Sequence, residues 1–177
     1  MASESEIRYG FTPVSSSATA VLASAKPISA APFISVADTP TPDTALAHRI
    51  NAYAQSHLPE PTYNHSLRVY HFGLAIKRHL FPSWGFTDET YFLACLLHDI
   101  GTTEENITKT KMSFEFYGGF LALEVLQQAS AHSSGDVAPR DQAESVVEAI
   151  IRHQDLCEKG NITAVGQLLQ LATIFGM

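Results

Sequence analysis

The sequence predicts an all-α domain, and three observations carry that expectation. Apolar residues recur every three or four positions in one stretch after another. Most of these stretches open on a Ser, Thr or Asp suited to capping a helix, and none sustains the apolar–polar alternation of a strand. At 177 residues, 45% hydrophobic and 16% charged, the chain has material for one buried core and is too apolar for wholesale disorder.

Residues 1–44, rich in Ser, Ala, Thr and Pro, read as an arm without a core of its own. Tyr9, Phe11, Phe33 and Ile34 are its side chains for docking on the domain that spans 45–177. Asp43 or Thr44 caps a first helix over about 45–56, with Leu46, Ile50 and Tyr53 at helical spacing. The prolines of 57–62 break it. A second helix, about 64–80, places His65, Val69, Phe72 and Ile76 on its inward face. His71 then falls about 240° away, toward solvent, and His79 returns to the inward face about 21 Å further along.

Thr87 or Asp88 caps a third helix that is apolar on nearly every side from Tyr91 to Leu97, which marks it as the buried one. It ends on an adjacent His98–Asp99 pair, with Gly101 two residues on as a candidate cap. Residues 102–112 are polar and read as a surface loop. Ser113 or Thr110 starts a fourth helix through Phe116, Leu121, Val125 and Leu126. Gly118 and Gly119 inside it each cost about 1 kcal/mol relative to alanine, which points to close helix approach or room for a ligand. After a loop at 131–139, a fifth helix over about 140–153 aligns Val146, Ile150 and His153. Gly160 stops the segment after His153. A last helix from about 163 carries Leu168, Leu171, Ile174 and Phe175.

Composition excludes several function classes. A net charge of −7 with no Lys/Arg stripe gives no electrostatic grip on nucleic acid. Apolar runs stop well short of the about 20 residues needed to span a bilayer. The opening Met-Ala-Ser-Glu-Ser-Glu is acidic where a signal peptide is basic, so cytoplasmic or nuclear placement is the default. Cys95 and Cys157 lack CxxC spacing and read as reduced thiols, Cys95 packed as a small hydrophobe.

The chemistry lies in three histidines, His65, His98 and His153, each on or at the end of an apolar helical stripe. A lone histidine in that position is ordinarily a satisfied core residue. Three on separate helices, with Asp99 beside one and Glu115 close by in sequence, make a metal site the better reading, since buried ionisable groups need a partner. Imidazole and carboxylate ligands suit a divalent ion such as zinc, iron or manganese, and a set without thiolates is catalytic rather than structural. His48, His57, His71, His79 and His132 read as surface or loop histidines.

These residues resemble the HD-domain metal-dependent hydrolase superfamily, whose pattern is a His, an adjacent His–Asp pair and a later Asp. A closer resemblance is to the fungal cyanamide hydratase family. Its carriers are Thr62-Tyr-Asn-His-Ser-Leu-Arg-Val69, Leu96-Leu-His-Asp-Ile-Gly-Thr-Thr103, Met112-Ser-Phe-Glu-Phe-Tyr-Gly-Gly119 and Ile150-Ile-Arg-His-Gln-Asp155. Tyr9-Gly-Phe-Thr-Pro13 in the arm adds a fifth match. The resemblance implies that His65, His98 and Asp99 bind metal, zinc in that family, and that Glu115 and His153 line the substrate pocket. It implies hydration of cyanamide to urea. In that reaction hydroxide formed at the metal attacks the nitrile carbon, His153 suits the proton transfer to nitrogen because an ordinary imidazole titrates near working pH, and Glu115 is the candidate to hold the substrate's amino group. The family pattern continues Thr-Ile-Phe-Asp-Asn, its Asp being the last metal ligand, whereas Phe175 is followed here by Gly176-Met177. The expectation is therefore an HD-domain helical bundle that is C-terminally incomplete, with an apolar face left open to self-association as a homo-oligomer.

Two rival readings stand beside this one. An HD-type phosphohydrolase of nucleotides or phosphodiesters needs Lys or Arg near the metal, for which Arg68 and Arg152 are candidates. An inactive remnant lacking the final metal ligand is the other.

Overall fold

A computed structural model describes residues 3–25, 30, 33–128 and 136–176. In chain order the elements are α1 (Glu4–Arg8), β1 (Pro13–Ser15), α2 (Ala18–Ser24), a 3-10 turn (Val36–Asp38), α3 (Ala45–His57) and α4 (Glu60–Leu80). They continue with α5 (Asp88–Leu97), a second 3-10 turn (Ile100–Thr102), α6 (Glu104–Thr108), α7 (Phe114–Gln127), α8 (Arg140–Arg152), β2 (Asn161–Thr163) and α9 (Ala164–Gly176). The helical class holds. The strands that alternation did not signal are a three-residue antiparallel pair, β1 with β2, too short to show a period. His132 and most of the loop at 131–139 lie outside the described residues. Among the described residues, no helix is long and apolar enough to cross a membrane.

α5 is the centre. Every side chain from Thr90 to Leu97 is buried, and α3, α4, α8 and α9 pack around it. Thr87 caps its start by accepting from the Thr90 amide, with Asp88 and Glu89 complementing the helix dipole in the first turn. Thr44 caps α3 in the same way through Ala47.

α4 corrects the sequence reading twice. It starts at Glu60, not near 64, because Pro59 serves as the N-cap and Pro61 sits in the first turn, where a missing N–H costs no helical bond. Its buried face is Ser66, Val69, Tyr70, Gly73 and Leu74, while Phe72 is 44% exposed. The stripe turns because Tyr70 wins the core: its ring meets Phe92 edge-on at 4.9 Å and its hydroxyl donates to Pro40 O at 2.9 Å. Gly73 leaves a notch for Tyr91, whose hydroxyl lies where a Cβ would be and donates to Val69 O at 3.2 Å. His71 is not solvent-facing. It is half-buried against Tyr70, with Nδ1 2.7 Å from Thr39 Oγ1, and burial holds its pKa below the ordinary value.

The glycines near the His98–Asp99 pair serve close approach. A Cβ on Gly101 would lie 2.2 Å from Phe114 O, and one on Gly119 2.6 Å from Ile151 Cγ1. Gly101 is therefore a contact between the second 3-10 turn and α7 rather than a left-handed cap. Residues 102–112 are not all loop: Thr103 caps the short, largely exposed α6.

The arm is seated. α1 ends at a bridge from Tyr9 to Phe86, Gly10 lies against Val165, and Val21 is buried with Phe81 and Leu171. Phe33 does not dock. It is 93% exposed, and Val21 occupies the anchoring role instead.

Arg49 ties α3 to the far end of α7. Its guanidinium donates to Val125 O at 2.8 Å and twice to Asp136 O, at 3.0 and 2.8 Å. It thereby satisfies a carbonyl of the last turn of α7 with positive charge, where the helix dipole favours it. Arg49→Met is expected to lower stability by about 2 kcal/mol, the worth of hydrogen bonds from a charged donor. The readout is a lower urea midpoint at unchanged slope. A loss below about 0.5 kcal/mol would show that water replaces the guanidinium there.

Candidate metal centre

Two helices end on the site in the same way. His98 follows α5 and His153 follows α8, each in helical conformation at the C-cap. Each directs Nδ1 at the carbonyl three residues back, Cys95 O and Ile150 O, both at 2.7 Å. A carbonyl only accepts, so Nδ1 carries a proton in both rings, and Nε2, the atom left to face the site, points the other way. Only 1% of each histidine is exposed.

The Nε2 atoms converge on Asp99. His98 Nε2 is 3.2 Å from Asp99 Oδ2 and 3.3 Å from His65 Nε2, and His65 Nε2 is 3.9 Å from the same carboxylate oxygen. His153 Nε2 lies 3.9 Å from the other oxygen, Oδ1, and is buried with no hydrogen-bond partner among the described residues. Thus His65, reaching in from α4, His98, Asp99 and His153 share one wall of a cavity of about 410 Å³, completed by Gln154, Leu156, Thr173 and Ile174.

The electrostatics arise from this crowding. Burial alone would raise the Asp99 pKa. The His98 imidazole beside it, then His153 and His65, more than offset that and hold the carboxyl below its ordinary value. His153 moves down: burial disfavours its charged form, His98 adds to the effect, and Asp99 and Glu115 only oppose it.

This arrangement fits a divalent cation. Two imidazole nitrogens and a carboxylate face one another with ligand atoms all within 4.8 Å. A cation that displaced protons from the Nε2 atoms would be attracted by all three groups. His65, His98 and Asp99 could hold it, and two nitrogens with one oxygen suit zinc, iron or manganese. The bond from His98 Nδ1 to Cys95 O fixes the tautomer that leaves Nε2 free to ligate. Cys95 itself is out of reach: burial pushes its thiol well above the ordinary range.

Glu115 is placed otherwise than expected. It lines a neighbouring cavity of about 510 Å³ with Ser113, Phe116, Glu148, Ile151 and Arg152, and its Oε2 is buried there without a partner. Gln154 borders both cavities. Sequence reasoning misses Gln154 and Thr173. A signal exists for Thr173: Gln167, Gln170 and Thr173 recur every third residue in the otherwise apolar α9, a polar stripe that a purely structural helix does not need.

The helical fold and the His65, His98–Asp99 cluster define an HD domain. Residues 62–173 match that family, and the chain belongs to it. Over 134 residues it is 46% identical to two curated Saccharomyces cerevisiae proteins, Cyanamide hydratase DDI2 and Cyanamide hydratase DDI3. The match takes in 76% of this chain and 57% of each relative, so the chain spans somewhat over half their length.

Proposed function

We propose that the chain is a zinc-dependent lyase that hydrates cyanamide to urea, with His65, His98 and Asp99 as the metal ligands. The observation that carries this reading is the cluster of imidazole nitrogens around Asp99 at the wall of a small cavity. The likeness to proteins named cyanamide hydratase supports it. A divalent ion bound there supplies Lewis acidity, lowering the pKa of water from about 15.7 toward about 7.

The chain's own residues do the rest. His153, neutral and bare at Nε2, accepts a proton from the attacking water and returns it to the nitrile nitrogen. In sum, water's oxygen bonds to carbon, one C–N π bond breaks, and a proton moves to nitrogen, giving a tautomer of urea. Leu156 and Ile174 form the apolar part of the cavity, while Gln154 and Thr173 offer hydrogen-bonding groups to the substrate's amino group. Glu115 acts through its charge on His153 rather than by touching substrate.

Among the described residues, no Lys or Arg lines this cavity, so the phosphate grip that a phosphohydrolase needs is not seen there. Arg152 is turned away, donating to Asn161 O at 3.1 Å and to Asp155 at 3.3 Å.

The test is urea formation from cyanamide by the purified chain, with metal content measured on the same sample. Chelation is expected to abolish turnover, and zinc to restore it. Phosphate release from a nucleotide panel without urea from cyanamide would replace this reading with the phosphohydrolase. Silence on both substrates by a metal-loaded chain would favour a binding role.

A further inference from the structure

The turn that carries His153 and Gln154 is held from an unexpected side. Gln170, on α9 and only 1% exposed, donates from Nε2 to Arg152 O at 2.8 Å and to Asp155 O at 2.9 Å. These two carbonyls flank the His153–Gln154 pair. Both neighbours of that nitrogen are acceptors, so the amide orientation is forced, and both of its protons are used. Arg152 O belongs to the last turn of α8, where carbonyls have no intrahelical partner. In the turn itself the His153 amide reaches Ile150 O only at 3.4 Å, Asp155 N closes on Arg152 O at 3.0 Å, and Leu156 N bonds Gln154 O at 3.0 Å. One turn further along α9, Thr173 and Ile174 line the cavity.

We propose that Gln170 is a positioning residue: by clamping the carbonyls on either side of His153 and Gln154, it fixes both at the cavity wall. The catalytic consequence rests on the hydration reading above. The geometric part does not. Metal binding is separate from the clamp, because His65, His98 and Asp99 lie on other elements. Loss of the clamp therefore misplaces the proton-transferring group and spares the ligands.

The experiment compares the unsubstituted chain with Gln170→Met, which keeps length and volume but has no donors, and with Gln170→Asn, which keeps the amide on a shorter stem. Three quantities are read: Co2+ stoichiometry and affinity from its visible absorption, kcat and KM for cyanamide, and the nitrogen-15 NMR signal of the His153 Nδ1–H, assigned by its absence in His153→Gln. In Gln170→Met, one Co2+ per chain is expected with affinity within about threefold. kcat falls about 10- to 100-fold, the scale of a misplacement near 1 Å, while KM moves less than about threefold. The Nδ1–H signal broadens through exchange with solvent, and Gln170→Asn regains part of both the signal and kcat. An unchanged Nδ1–H signal with kcat within about threefold would overturn the proposal. Parallel loss of Co2+ binding and turnover would also overturn it, leaving Gln170 an ordinary core residue. Should Gln170→Met fail to fold, Gln170→Asn carries the same readouts. If the unsubstituted chain makes no urea, the hydration reading falls and the NMR signal alone decides the clamp.

Discussion

Replacing His98 by alanine is expected to strip the metal from the chain and leave no measurable turnover. His98 Nε2 is the one ligand atom within 3.3 Å of both other ligands, so its loss dissolves the cluster rather than trimming it. Changes to residues that merely orient a ligand cost about 10- to 100-fold in metal affinity, so loss of the central ligand sets a floor above about 100-fold. Asp99→Asn keeps the volume and removes the charge that the imidazoles surround, so its effect runs in the same direction. The check is metal per chain after gel filtration, with His71→Ala as the comparison. His71 bonds Thr39 and lines no part of the site cavity, so that variant retains the unsubstituted content. A His98→Ala chain that still carries stoichiometric metal would remove His98 from the ligand set.

Gly101→Ala is expected to be strongly destabilising for a single added methyl. The added Cβ would lie 2.2 Å from Phe114 O, 3.0 Å from Phe114 C and 3.1 Å from Gly118 N, all backbone atoms that no rotamer can move aside. Relief requires the second 3-10 turn and the start of α7 to separate. Overpacking costs about 1–3 kcal/mol, and a backbone collision belongs at the upper end, about 3 kcal/mol. For a chain of this size that lowers the Tm by roughly 6–12 °C. Phe114 also meets the His153 ring edge-on at 5.6 Å, so the displacement reaches the site as well as the core. Gly118→Ala meets nothing nearer than 3.3 Å and serves as the control, with a much smaller shift. Equal melting temperatures for the two variants would contradict the close-approach account.

The contrast between these residues explains how far the sequence is readable. Helices α3, α5, α7, α8 and α9 announce themselves through caps such as Thr44 and Thr87 and through unbroken apolar spacing. The His98–Asp99 pair stands out because two ionisable groups close the unbroken apolar run from Tyr91 to Leu97. The phase of α4 is not legible, since Tyr70 and Phe72 are both credible core residues and Gly73 decides between them by admitting Tyr91. The tautomers of His98 and His153 depend on carbonyls three residues back, which any helix end supplies and no side-chain pattern reveals. Gln170 is invisible for the same reason: its partners are main-chain oxygens, identical in every sequence. Glu115 lies on a matched motif, yet its helix directs it into the adjoining cavity.

The ribbon of β1 and β2 bears on how the chain is made. Pro13 pairs with Thr163, a separation of 163 − 13 = 150 residues, and Ala164 N donates to Thr12 O beside it. Ribosomes add about 5–20 residues per second, so the arm waits roughly 8–30 s after its synthesis before its partner strand exists. Throughout that interval Val14 has no partner strand, Val21 can meet Phe81 but not Leu171, and the seat of Gly10 against Val165 has not been built. The arm precedes everything it rests on, and a nascent chain must keep it from other partners until β2 and α9 emerge.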